Sequence, residues 1–157
     1  MVRVKHRYLL AEIVYADNRS IDATDTQIYQ AIRDAFTEGF GEYGIALIKR
    51  SLSIRIVMRD TRMILVRVRR GAETMLSNAL TTINSLNKTA IRMVTRHVSG
   101  SIRCAQKYWI RMNRRLLQSA IRECKESERQ KLLEKIKEIN QADFSELFKP
   151  KRLQSKS

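Results

Sequence analysis

The spacing of apolar residues changes several times along the chain, and each change marks an element. Residues 4–14 mix alternation with the run YLLAEIV, as expected of an inner strand buried on both faces. Over 24–40 the period becomes helical, with Ile28, Ala31, Ile32, Ala35 and Phe36 in one stripe. Thr24 followed three residues later by Gln27 predicts a capping box, and Gly39 and Gly41 predict the helix end. Alternation returns over 45–58, where Ile48, Leu52, Ile54, Ile56 and Met58 oppose Lys49, Ser51, Ser53 and Arg55. Arg50 breaks that pattern as a bulge would. A strand over 62–69 sets Ile64, Val66 and Val68 against Arg67 and Arg69, and the link RDTR is short enough for a hairpin. A second helix over 72–86 carries Ala72, Met75, Leu76, Ala79, Leu80 and Ile83. A fourth strand fits 90–98, with Arg92 and Arg96 on one face, and a long helix fits 101–124. A charged helix over 127–139 and a polar tail close the chain.

The order β-α-β-β-α-β, then helices, predicts an α+β, ferredoxin-like split βαβ sandwich: one antiparallel sheet with two helices on one face. At 157 residues, one domain over 1–122 with an appendage over 123–157 is the natural division. No apolar run approaches the roughly 18 residues of a membrane span, and the charged start MVRVKHRYLL does not resemble a signal peptide. The expected address is cytosolic or nuclear, with no membrane partner.

Charge sharpens this picture. The net charge is +15, and it is concentrated in the middle of the chain. Residues 43–122 hold 17 Lys and Arg against only Asp60 and Glu73, and no acid lies between Thr74 and Arg122. The first 42 residues are slightly acidic. Arginine outnumbers lysine 20 to 11. A one-signed, Arg-rich stretch suits a polyanion, because guanidinium forks phosphate and sheds water readily. Nucleic acid is the leading partner class, with an anionic membrane surface or an acidic protein as alternatives.

Catalytic sets are missing. The chain has no P-loop and no HExxH, and Cys104 and Cys124 lie 20 residues apart with neither in a CxxC pair. Both read as reduced thiols. His6 and His97 have no obvious nucleophile to serve, and 74–122 supplies no carboxylate for metal-ion catalysis. Residues 44–107 contain no Phe, Tyr or Trp, so the later strands lack the stacking platform of an RRM. RNA contact would then run through backbone and shape.

The stretch SGSIRCAQKYWIRMNRR, 99–115, is where that contact concentrates. Ile102, Ala105, Trp109, Met112 and Leu116 make an apolar face, with Trp109 as a core anchor. Arg103, Lys107, Arg111 and Arg115 recur at i+4, with Arg114 beside them. Like charges at that spacing weaken an isolated helix by a few tenths of a kcal/mol per pair. Such a cost makes sense where an anion faces them. Gly100 and Ser101 open the helix, where backbone N–H groups and the dipole favour an anion. Arg67 and Arg69 on the sheet are further candidates, with a solvated role as the equal alternative. KPKR at 149–152 is similar to a nuclear-import patch.

MVRVKHRYLL at the start and HVSGSIRCAQKYWIRMNRR at 97–115 resemble the Pop-five subunit family of eukaryotic RNase P and RNase MRP. That family's second motif runs H-V-x-G-T-I-R, then C-Q-K, then N-R-R. His97, Val98, Gly100, Ile102, Arg103, Gln106, Lys107, Asn113, Arg114 and Arg115 fit it. Ser101 stands for the usual Thr and keeps the hydroxyl, while the cysteine has moved to 104. The resemblance covers about residues 1–122. It implies a non-catalytic scaffold that braces the catalytic RNA of RNase P and RNase MRP and pairs with a TIM-barrel protein subunit. Precursor tRNA would be met indirectly, during 5′-leader cleavage, and ribosomal RNA processing would be the second task. The chemistry would belong to the RNA and its Mg²⁺, with no cofactor on the protein, and the address would be the nucleus and nucleolus. A ribosomal or ribosome-assembly protein of the same fold is the competing expectation, and a protein nuclease or a purely protein-bridging subunit are others.

Overall fold

The computed structural model describes residues 5–16, 21–58 and 61–123. In chain order the elements are β1 (His6–Tyr15), α1 (Asp25–Ile48), β2 (Ser53–Met58), β3 (Met63–Arg69), α2 (Glu73–Thr82), β4 (Ser85–Leu86), β5 (Thr89–Ser99) and α3 (Ile102–Glu123). The strands run β2-β3-β1-β5-β4, every neighbouring pair antiparallel. With β1 and β3 inside and β2 and β5 flanking them, the fold is the expected α+β, ferredoxin-like one, extended by the short β4. The chain divides into two compact units within α3, after Ala105. The expected helix over 127–139, Cys124 and the KPKR patch lie outside the described residues. Among the described residues no helix is long and apolar enough to cross a membrane.

Alternation decides which sheet face meets the helices. Leu9, Ala11 and Ile13 of β1, Ile64, Val66 and Val68 of β3, and Met93 of β5 join Ile28, Ile32 and Phe36 of α1 and Leu76 and Leu80 of α2 in one cluster. The opposite face buries Leu10, Met63 and Leu65. Leu9, Leu10 and Ala11 are all fully buried, which is why YLLAEIV has no clean alternation.

The cap of α1 forms as expected. The Gln27 N–H donates to Thr24 Oγ1 at 3.3 Å, and the Thr24 N–H donates to Gln27 Oε1 at 2.8 Å. Thr24→Ala should therefore lower stability by about 1 kcal/mol, read as an earlier urea midpoint at unchanged slope.

Three boundaries differ from expectation. Gly41 does break the helix, at φ 57° and ψ −152°, but helical backbone resumes and runs to Ile48. Residues 45–48 are thus helical, because Ile45, Ile48 and Leu52 also satisfy i+3 and i+4 spacing and pack on the core. Arg50 lies in the turn that follows, so it is no bulge. The second helix stops at Thr82, since Ile83 is extended at φ −76° and ψ 105°. Leu86 then buries itself from β4, paired with Thr89 across Asn87 and Lys88, at φ 51° and 63°. Two consecutive positive φ values form a type I′ hairpin turn, a state Asn enters at low cost.

Candidate nucleic-acid interface

The start of α3 is fixed by serine hydroxyls. Ser99, 6% exposed, holds its Oγ within hydrogen-bond distance of the carbonyls of Tyr8 (3.3 Å) and Ser101 (3.1 Å). Ser101 Oγ accepts from the Cys104 N–H at 3.3 Å, so it caps the helix in the usual serine manner. The cap occupies the Cys104 N–H, and helix geometry leaves Ile102 and Arg103 N–H without an intrahelical acceptor. Gly100 also lies close to the flexible end of the Arg7 side chain. A Cβ there would stand 2.8 Å from Arg7 Nη1. Arg7 reaches Glu73 at 3.8 Å on its other side, so its guanidinium lies between α2 and the entry to α3. Neither sequence motif marks Arg7 for this place, since only strand pairing brings it beside Gly100.

Along α3, a step of four residues turns about 40° past a full circle. Arg103, Lys107, Arg111 and Arg115 therefore make a slowly winding ridge, and all four are exposed, as is Arg114. Ala105 and Trp109 are buried at 0% and 2% exposure. Leu116, expected on the apolar face, is 60% exposed, so the buried stripe ends at the half-buried Met112. Cys104 carries an exposed thiol.

Ion pairs elsewhere accentuate the ridge. Glu12 engages Arg96 at 2.7 Å and Arg62 at 3.8 Å, and Glu73 engages Arg7. Among the described residues, no carboxylate pairs with Arg103, Lys107, Arg111 or Arg115. The same holds for Arg67 and Arg69, which project from β3 on the face away from α1 and α2. Arg69 is exposed and Arg67 is half-buried. No three His, Cys, Asp or Glu side chains group as a metal site among the described residues.

Fold and charge together define a basic, ferredoxin-like scaffold with a cationic helix at its C-terminal end. The chain belongs to the Rpp14/Pop5 family, whose model matches residues 7–110, as the two sequence motifs led us to expect. It is 32% identical over 140 residues to the bovine ribonuclease P/MRP protein subunit POP5, spanning 86% of this chain and 82% of that one. The human protein of the same name is 31% identical, with 86% of each chain covered. A chain in the cryo-EM structure of yeast ribonuclease MRP aligns at TM-score 0.48 and 15% identity, over 76% of this chain and 98% of that one.

Proposed function

We propose that this protein is a non-catalytic RNA-binding subunit of RNase P and RNase MRP. It binds and braces the catalytic RNA of each particle, during 5′-leader cleavage of precursor tRNA and ribosomal RNA processing. The observation that carries this reading is the row of exposed cations Arg103, Lys107, Arg111 and Arg115 on α3, with no carboxylate partner among the described residues. The names of the bovine and human relatives support the choice of particle. Arg103, Lys107, Arg111, Arg114 and Arg115 neutralise phosphates, and Gly100 and Ser101 set the helix entry against the backbone. Arg67 and Arg69 add contacts from the sheet. Cleavage is assigned to the RNA with its Mg²⁺, and the protein holds no cofactor. The acidic outer surface of α1, with Asp34, Glu38 and Glu42 exposed, faces away from RNA and toward protein neighbours, the TIM-barrel subunit among them. Residence in the nucleus and nucleolus goes with that work.

Salt dependence tests the reading. If about six phosphates are neutralised, log affinity for RNase P RNA falls against log salt with a slope of roughly −4 to −5. A slope near zero would remove the electrostatic basis. RNA recovered with the protein separates this reading from a ribosomal one: RNase P and MRP RNA are expected, and ribosomal RNA alone would favour the rival.

A further inference from the structure

The sheet face turned away from α1 and α2 carries a second cationic group. Strand register sets His6 opposite Arg69 and Tyr8 opposite Arg67. Arg67 is in turn opposite Ser53, and Tyr8 opposite Ser99. Two guanidinium groups and an imidazole thus share three adjacent positions of one face, with hydroxyls around them. Arg67 is half-buried, and its Nε is covered without an acceptor among the described residues. Partial burial strips water from that cation and strengthens its field on its neighbours. Among the described residues the acid on this face is Glu12, further along β1, and Arg62 and Arg96 already engage it. Nothing described offsets Arg67 and Arg69.

We propose that this face binds one phosphodiester of the RNA through Arg67 and Arg69, and that His6 takes up a proton as the phosphate seats. The inference rests on the RNA-binding reading above. In the protein alone, burial first and the Arg67 charge second hold the His6 imidazole below its usual pKa. That direction keeps His6 neutral at pH 7, beside two cations it would otherwise repel. A phosphate between Arg67 and Arg69 reverses the field at the imidazole and gives its N–H an acceptor. Both changes favour the charged form. Linkage is reciprocal, so protonating His6 tightens phosphate binding by the factor by which phosphate raises its proton affinity. Lys5, Arg7 and Tyr8 are the charged and titratable groups beside His6 along the chain, with Glu12 further along β1, and Arg67 and Arg69 face it from β3.

The test is an NMR titration of the imidazole C2–H signals in the full chain, which has two histidines, His6 and His97. The probe is a short A-form RNA duplex at low salt. The His6 midpoint is expected below that of an ordinary histidine in the protein alone, and to rise by about 0.5 to 1 unit with RNA. Affinity should then be roughly three- to tenfold tighter at pH 5.5 than at pH 8. His6→Gln should remove that pH dependence, and Arg67→Gln should raise the free-protein midpoint and abolish the RNA-induced rise. Binding of the duplex with the His6 midpoint unmoved or lowered overturns the inference and leaves the α3 ridge standing. Failure of the duplex to bind at low salt overturns both. A rise with polyglutamate but not with RNA overturns it in favour of an acidic protein partner.

Discussion

Replacing Arg103, Lys107, Arg111 and Arg115 together with glutamine is expected to weaken binding to RNase P RNA about a thousandfold at 0.15 M salt. Each phosphate contact releases close to one counterion, which at that salt is worth somewhat under a factor of ten. Four lost contacts multiply to roughly 10³, and the log–log salt slope should become shallower by three to four. The folded protein should not suffer. All four side chains are exposed and none has a carboxylate partner among the described residues, so no ion pair is broken. Removing three i+4 repulsions should even stabilise α3, by up to about 1 kcal/mol in all. Filter binding across a salt series, with thermal melts of the same preparation, reads both effects. Loss of binding together with loss of stability would point to unfolding, and unchanged binding would place the RNA site elsewhere.

Phe36→Ala should do the reverse. Phe36 is fully buried where α1 meets the sheet, and its ring lies 5.4 Å, centre to centre, from that of Phe40. Gly44 sits against it, its Cβ position 3.2 Å from Phe36 Cδ1, so no side chain from that turn is available to fill the space. Truncating a buried Phe costs about 3–5 kcal/mol, from lost transfer energy and the cavity left behind. That is a large share of the roughly 5–15 kcal/mol that holds a domain of this kind folded. Urea unfolding should show a much lower midpoint. At low temperature, where the variant is folded, the salt slope for RNA should match the parent protein, because the mutation touches no surface cation. A changed slope would mean that the core and the ridge are coupled.

The contrast between the ridge and Phe36 follows what was legible in the sequence. The ridge could be read because it needs only a helix and a spacing of four. The α1 cap was legible for the same reason, since Thr24 and Gln27 are neighbours in the chain. Period alone failed where two periods fit the same residues. Ile48 and Leu52 fit alternation and also, with Ile45, helical spacing, and packing beyond the Gly41 break chose the helix. β4 escaped because two residues are too few to show alternation, and its turn uses Asn87 with Lys88 rather than a glycine. The ion pair of Arg7 with Glu73, its approach to Gly100, and the Arg67 charge felt by His6 depend on strand register between distant segments. No local pattern encodes them.

Crosslinking from the ridge decides whether RNA lies against α3. A photoreactive residue placed at position 107 or 111 of the full chain, in particles assembled in cells, records what lies against the helix. Crosslinks to RNase P RNA and RNase MRP RNA are expected. Crosslinks confined to protein neighbours, or to ribosomal RNA, would contradict it.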